Sequence, residues 1–224
     1  MWPTIILDNF FDDPNSIVQY SNSLEYSKEP SGRWPGKRAF INDDLKFAIV
    51  EKALSLYLSD NAIVRCDIQA NFQKIKRFSD NKEDSANRGF LHKDSASANI
   101  ELAGIIYLSE NDPNINQGTS FYTLKSGEEY PFNFNLKEEL YISGNYDKDK
   151  FDAFFDKIDK VFYKNLDVSN KFNRLIMFDA NQWHAANSFY SENDEERLTI
   201  TFFLSNVVIG KDKKPHYRKN LVKL

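Results

Sequence analysis

The sequence predicts a mainly β fold with helices packed on its outside, and three observations carry that prediction. After residue 62, apolar and polar residues alternate with a period of two in several separate stretches. Helical spacing is confined to the first sixty residues and to one segment between 125 and 171. A chain of 224 residues with 41% hydrophobic content and 19 Phe can bury a sizeable core, and β-sandwiches and barrels reach this length as single domains. One domain over 1–224 is therefore expected.

A net charge of -4 is spread as mixed acids and bases, so no global field favours nucleic acid or an anionic membrane as partner. The single cysteine, Cys66, cannot close an intrachain disulfide. The start, Met1-Trp2-Pro3-Thr4-Ile5-Ile6-Leu7-Asp8, has neither the basic region nor the apolar run of a signal peptide, and no stretch approaches the roughly 20 apolar residues of a membrane span. These features predict a soluble protein of a reducing, cytoplasmic compartment.

Residues 3–8 suit a short strand, and Asp13-Pro14 supplies an N-cap and first position for a helix carrying Ile17, Val18, Ser21 and Leu24 on one face. Gly32, Pro35 and Gly36 interrupt the pattern around Trp34. Asp43 or Asp44 then caps a second helix, with Leu45, Ala48, Ile49, Ala53 and Leu56 at helical spacing, ending near Asp60-Asn61. Residues 1–61 thus read as a strand and two helices covering a sheet.

The β region begins with Ile63 to Phe78, and the polar stretch 79–88 reads as an exposed loop. In 99–109, Ile100, Leu102, Gly104, Ile106 and Leu108 face one way, and Glu101, Ala103, Ile105, Tyr107 and Ser109 the other. A turn-rich loop, 110–117, precedes a strand at 118–124. Within the insertion at 125–171, Phe151, Phe154, Phe155, Ile158, Val161 and Phe162 form a helical stripe, either packed on the sheet or serving as a lid or substrate wall. Alternation returns in 175–178 and in the strand holding His184, and the last strong strand is 197–204. The tail, 207–224, is basic and includes His216, the histidine least suited to a metal.

The chemistry concentrates in Gly89-Phe90-Leu91-His92-Lys93-Asp94 and Gln182-Trp183-His184-Ala185-Ala186-Asn187. On a strand, residues two apart share a face, so His92 and Asp94 would offer an imidazole and a carboxylate to one point, with His184 as a third ligand. Two histidines and a carboxylate on one side of an ion leave open positions opposite, the facial arrangement of non-haem Fe(II) oxygenases. On the last strand Arg197, Thr199, Thr201 and Phe203 share a face. A buried Arg197 needs an anion there: either a protein carboxylate or a small-molecule carboxylate held bidentately.

His92-x-Asp94, Ala103-Gly104-Ile105-Ile106-Tyr107-Leu108-Ser109, Gly118-Thr119-Ser120-Phe121-Tyr122, Arg174-Leu175-Ile176-Met177-Phe178, His184 and Arg197-x-Thr199-Ile200-Thr201 occur in that order. The set resembles the Fe(II)/2-oxoglutarate-dependent dioxygenases of the prolyl hydroxylase type, over about residues 62–206. The resemblance implies a double-stranded β-helix (jelly roll) core with outer helices. It also implies His92, Asp94 and His184 as iron ligands, Arg197 on the distal carboxylate of 2-oxoglutarate, and Tyr107 adding a hydrogen bond to it. Asn71, Gln73 and Thr199 would line the same pocket.

The cofactors implied are Fe(II), 2-oxoglutarate as co-substrate and O2. The reaction implied is hydroxylation of a C–H bond with formation of succinate and CO2, since Asp94 occupies the position a halogenase leaves to halide. The separation of His184 from Arg197 is longer than in several family members, so residues 188–196 are expected to bulge outside the barrel. Tyr122, Tyr130, Phe132, Phe134 and Trp183 are candidates for the entrance, where a peptide, an amino acid, a nucleobase or another metabolite would enter. Two other readings share these residues: a non-catalytic jelly-roll binding or structural protein, and a metalloenzyme using the same ligands without 2-oxoglutarate.

Overall fold

The strongest alternation of the chain lies at the centre of a seven-stranded antiparallel sheet. A computed structural model of the protein describes residues 2–28, 34–59, 62–96, 99–110, 115–131 and 133–210. In chain order the strands are β1 (Ile5–Leu7), β2 (Ser27–Lys28), β3 (Lys37–Phe40), β4 (Val64–Ile75), β5 (Ile100–Tyr107), β6 (Thr119–Leu124), β7 (Phe162–Val168), β8 (Arg174–Asp179), β9 (Trp183–Ala186) and β10 (Arg197–Ile209). The helices are α1 (Pro14–Asn22), α2 (Asp43–Ser55), α3 (Phe134–Glu138) and α4 (Lys148–Val161). The large sheet runs β1-β8-β5-β10-β4-β3-β2, and a smaller one runs β7-β6-β9. This mainly β, two-sheet arrangement with outer helices accords with a jelly-roll core.

The two faces of β10 do different work. Leu198, Ile200, Phe202 and Leu204 pack with Phe72, Leu102, Ile106, Leu175 and Met177 under the N-terminal helices. Each such side chain contributes about 1.5–3 kcal/mol when fully buried. Gly104 lies beneath Phe202: a Cβ there would stand 2.1 Å from its ring. The opposite face, with Arg197, Thr199 and Thr201, looks into the space between the sheets.

Asp13 caps α1, its carboxylate accepting from the Ser16 amide at 3.2 Å, with Pro14 in the first turn. For α2 the cap is Asn42 rather than Asp43 or Asp44, and its side-chain oxygen accepts from the Leu45 amide at 2.9 Å. The two aspartates sit in the first turn, where the helix dipole favours them. The buried face of α2 is Ile49, Val50, Ala53 and Leu54, while Ala48 and Leu56 are exposed.

Three segments differ from the sequence reading. Residues 27–28 and 37–40 form strands that extend the large sheet beyond β4, where the sequence reading had one strand, at residues 3–8, and two helices in all of 1–61. The insertion at 125–171 is not wholly helical, because residues 162–168 pair with β6 as the edge of the small sheet. Only the two ends of β7 are buried, so a period of two is scarcely written in it. The stretch 79–88 is not simply an exposed loop: Asp84, Ser85, Ala86 and Asn87 are buried, and the Asn87 side chain binds the backbone of Phe78, Ser79 and Asn81.

The helical stripe of α4 packs inward. Phe151, Phe154, Phe155 and Ile158 join Phe90, Leu91, Leu140 and Tyr141 in a second cluster behind the small sheet. The helix therefore braces the segment that carries His92. Val161 is only partly buried in this cluster, and Phe162 begins β7. Residues 60–61, the Asp112-Pro113-Asn114 part of the loop after β5, and the tail 211–224 with His216 lie outside the described residues.

Candidate metal centre and anion pocket

The ligand-bearing segment reaches its place without forming a regular strand. His92 makes an isolated bridge to His184, with amide-to-carbonyl distances of 3.0 Å in both directions, and Asp94 opens a short 3-10 turn, Asp94–Ala96. The sequence reading placed both residues on one strand. The structure instead brings them together by a bridge followed by a turn. Gly89 allows the close approach, since a Cβ there would lie 2.7 Å from the Ala186 nitrogen on β9.

His92 Nε2 stands 3.4 Å from Asp94 Oδ1, and His184 Nε2 stands 3.3 Å from Asp94 Oδ2. One ligand atom from each of the three residues lies within 4.8 Å of the others, the only such cluster of three metal-ligating side chains among the described residues. Adjacent ligands of a six-coordinate ion, each roughly 2.1 Å from it, stand about 3 Å apart, so little adjustment separates these atoms from a facial set.

The protonation pattern suits ligation. His92 Nδ1 lies 2.9 Å from the Phe90 carbonyl, and His184 Nδ1 lies 3.0 Å from the Gln182 carbonyl. A carbonyl only accepts, so each Nδ1 carries the proton and each Nε2 keeps a lone pair. Burial pushes His184 down to about 4, against the opposing pull of Asp94. Burial would raise Asp94, but His184 and His92 beside it hold its carboxyl at about 2. At neutral pH the site is a carboxylate and a neutral buried imidazole. His184 is 5% exposed, whereas the His92 side chain is 46% exposed and marks the open side.

Arg197 lies further along the inner face of β10. It is 5% exposed, its Nε donates to the Gln117 carbonyl at 3.0 Å, and its guanidinium stands 5.3 Å from the Tyr107 ring and 6.0 Å from that of Phe189. No carboxylate of the described residues pairs with it. Burial lowers its pKa and Tyr107 counters the shift. Tyr107 is fully buried and donates to Thr119 Oγ1 at 2.7 Å, and burial raises its phenol.

Thr199 and Thr201 are also buried on this face, and neither hydroxyl has a partner. An unsatisfied buried hydroxyl costs about 1–3 kcal/mol. A buried cation that no carboxylate of the described residues neutralises, beside two hydroxyls without partners, has donors to offer an oxygen-rich anion. The register places these threonines between Arg197 and the Phe203–Ala103–Phe178 row, and His184 packs on Phe178 at 4.6 Å between ring centroids. Arg197 and the triad thus lie along one inner side of the fold, and their residue types fit an ion chelated by a dicarboxylate.

The remaining sequence candidates fall as follows. Gln73 pairs with Thr199 across β4 and β10, and its amide donates to the Pro35 carbonyl at 2.8 Å. Asn71 pairs with Thr201 on the same face. Tyr130 and Trp183 line a cleft of about 250 Å³ beside His92, with Phe90, Leu91, Lys93, Asn133 and Lys137. Tyr122 lines a different cleft, outside the small sheet, with Phe155 and Phe162. Phe132 and the side chain of Phe134 lie outside the described residues.

Of residues 188–196, expected to bulge outside the barrel, 192–195 are exposed whereas the first part turns inward. Phe189 is buried against Arg197, its amide donates to the Asn87 carbonyl at 2.7 Å, and Gln117 Nε2 donates to the Tyr190 carbonyl at 2.5 Å. Sequence reasoning missed Gln117 and Thr119 as supports of Arg197 and Tyr107, and Lys137 altogether. Thr201 alone had a signal, its period of two from Thr199.

The fold is shared with solved structures at low identity. HygX from Streptomyces hygroscopicus, with nickel, 2-oxoglutarate and hygromycin B bound, aligns with a TM-score of 0.54 and 12% identity, over 90% of this chain and 82% of that one. A prolyl hydroxylase from Trichoplax adhaerens in complex with a hypoxia inducible factor peptide fragment gives 0.52 and 13%, over 90% and 83%. An oxidoreductase of the 2OG-Fe(II) oxygenase family from Burkholderia pseudomallei gives 0.50 and 12%, over 90% and 84%. The fold is accordingly that of the prolyl-hydroxylase-like 2-oxoglutarate/Fe(II) oxygenases. No curated protein matches the sequence. Residues 2–204 match the model of DUF6445, described as a family of unknown function, and the chain belongs to that family.

Proposed function

We propose that the protein is an Fe(II)- and 2-oxoglutarate-dependent dioxygenase that hydroxylates a C–H bond. The observation that carries this reading is the clustering of His92, Asp94 and His184 on the same inner side of the fold as a buried Arg197 that pairs with no carboxylate of the described residues. HygX, which shares the fold, has nickel and 2-oxoglutarate bound, and this supports the same pairing of metal and co-substrate here.

His92, Asp94 and His184 would hold the ion, through two Nε2 atoms and one carboxylate oxygen. When bound, iron with 2-oxoglutarate and O2 supplies the oxidation, coupling decarboxylation to succinate and CO2 with hydroxylation of the substrate. The chain supplies position. Phe90 and Gln182 carbonyls keep the Nδ1 protons in place, so both rings stay oriented with lone pairs inward. Arg197 would take the distal carboxylate bidentately, Tyr107 would add a hydrogen bond, and the Thr199 and Thr201 hydroxyls would gain the acceptors they lack. Phe121 and Phe178, packed at 4.9 Å around His184, exclude water from the inner side and leave the His92 side for the substrate.

Among the described residues no helix is long and apolar enough to cross a membrane, and the free, half-buried Cys66 supports a reducing compartment. An anaerobic titration tests the function. Fe(II) plus 2-oxoglutarate should produce a weak visible charge-transfer band that His92→Ala removes along with bound metal. A wild-type protein that binds neither ion nor co-substrate would leave a non-catalytic jelly roll as the correct description.

A further inference from the structure

The open side of the site carries cations that the ion and the co-substrate do not use. Lys137, on α3, lines the cleft beside His92 together with Lys93, Tyr130 and Trp183. It is half-buried, its ammonium stands 5.8 Å from the Tyr141 ring centroid, and no carboxylate of the described residues pairs with it. Its ammonium feels the charge of Asp94, and burial pushes its pKa down. Lys93 extends over the Trp183 ring, 5.0 Å from its centroid, and donates to Asn181 Oδ1 at 3.1 Å.

In the loaded site the two charges of the ion and that of Arg197 would balance Asp94 and both carboxylates of 2-oxoglutarate, and Arg38, whose charge reaches both Asp94 and Lys137, adds positive rather than negative charge beside Lys137. A partly desolvated ammonium with nothing to neutralise it is costly unless an anion arrives with the substrate. The rest of the cleft is apolar and flat-sided. Trp183 and Tyr130 lie 4.8 Å apart with rings tilted by 48°, and the Tyr130 hydroxyl is fixed by donating to the Leu91 carbonyl at 2.6 Å. Phe162 backs Trp183 at 5.3 Å, so this wall is rigid.

We propose that the substrate is an anionic small molecule with a planar or apolar body, its ring lying against Trp183 and Tyr130 and its carboxylate or phosphate received by Lys137. This inference rests on the dioxygenase reading for the charge balance, and it names the substrate class of that same site. An ammonium recognises either anion as a point charge, so carboxylate and phosphate are separated by experiment rather than by the geometry. A neutral or cationic substrate would meet Lys137 and Lys93 at the mouth with no compensation.

The test uses three probes, indole-3-propionate, its neutral amide and phenyl phosphate, titrated calorimetrically into protein saturated with Mn(II) and 2-oxoglutarate, so that Arg197 is already occupied. At least one anion should bind tenfold or more tightly than the amide, and the tighter of the two identifies the acid class. Lys137→Gln should reduce that preference below threefold, Lys137→Arg should keep it, and 2-oxoglutarate affinity should be unchanged in both. Equal affinity for anion and amide, no binding of either anion at millimolar concentration, or a preference that persists in Lys137→Gln would each overturn the proposal. Repeating the titration on metal-free Arg197→Met protein reads the Lys137 cleft alone, so a failure of Mn(II) and 2-oxoglutarate to bind counts against the dioxygenase reading separately.

Discussion

Replacing Arg197 by Met separates a structural cation from an anion receptor. In the metal-free protein Arg197 is 5% exposed, its Nε donates to the Gln117 carbonyl, and its side chain also hydrogen-bonds with Tyr107. Removing it leaves that carbonyl unpaired, a loss of about 1–3 kcal/mol, and also removes a buried charge that no carboxylate of the described residues neutralises. Apolar residues of similar volume in place of buried ionic groups are often neutral or stabilising by about 1–4 kcal/mol. The expected net change in metal-free stability is thus within about 1 kcal/mol of zero, a shift of at most a few degrees in Tm for a chain of this size. Binding of 2-oxoglutarate behaves oppositely. Truncating one partner of a buried, hydrogen-bonded charge pair costs about 2–5 kcal/mol, which is roughly 30-fold to several thousand-fold in Kd. Denaturant unfolding of the metal-free protein and calorimetry with Mn(II) and 2-oxoglutarate measure the two effects, and Mn(II) should still bind because its ligands are untouched. A metal-free variant destabilised by about 3–5 kcal/mol with unchanged 2-oxoglutarate affinity would refute the reasoning, because that is the signature of a broken structural pair.

Two further predictions concern the scaffold. Phe151 is fully buried in the cluster of α4 and contacts Phe90, so Phe151→Ala should cost about 3–5 kcal/mol in urea unfolding. It should also weaken Mn(II) binding, because Phe90 supplies the carbonyl that orients His92. The Arg174 and Lys171 side chains, bonded to Asp8, hold its carboxyl at about 2, below the ordinary 3.8. The folded state therefore binds fewer protons than the unfolded chain between those values. This stabilisation is complete above about pH 4 and is lost as pH falls through about 2. With a third of the Asp8 side chain exposed, screening reduces its worth to about 1 kcal/mol. Asp8→Asn should lower stability at pH 6 by that amount and flatten this part of the acid limb.

Much of the large sheet was legible because one face of each strand is buried and the other is not equivalent to it. The faces read for 99–109 and 197–204 are those observed, Tyr107 and Thr199 standing opposite each other in the register. The stripe of α4 was legible for the same reason at helical spacing. Elements without an asymmetric environment left no such trace. Lys37–Phe40 pairs at the sheet margin, and β7 exposes its five central residues. Lys137 carried no signal at all, since a lysine on a short helix looks like any solvated charge until the cleft beside it is seen.

The site divides in the same way. Residue types and local spacing were enough to single out His92, Asp94, His184 and Arg197 as candidates, because few other groups in the chain could serve as clustered metal ligands or as an inward-facing cation. Their meeting was decided by pairings between remote segments. The bridge from His92 to His184, the turn at Asp94 and the packing of Phe189 against Arg197 place those groups, and no carboxylate of the described residues pairs with the guanidinium. Periodicity reports which side of an element is covered. It carries no information about which distant segment covers it, and that long-range choice is what sets His92, Asp94 and His184 beside one another and buries Arg197.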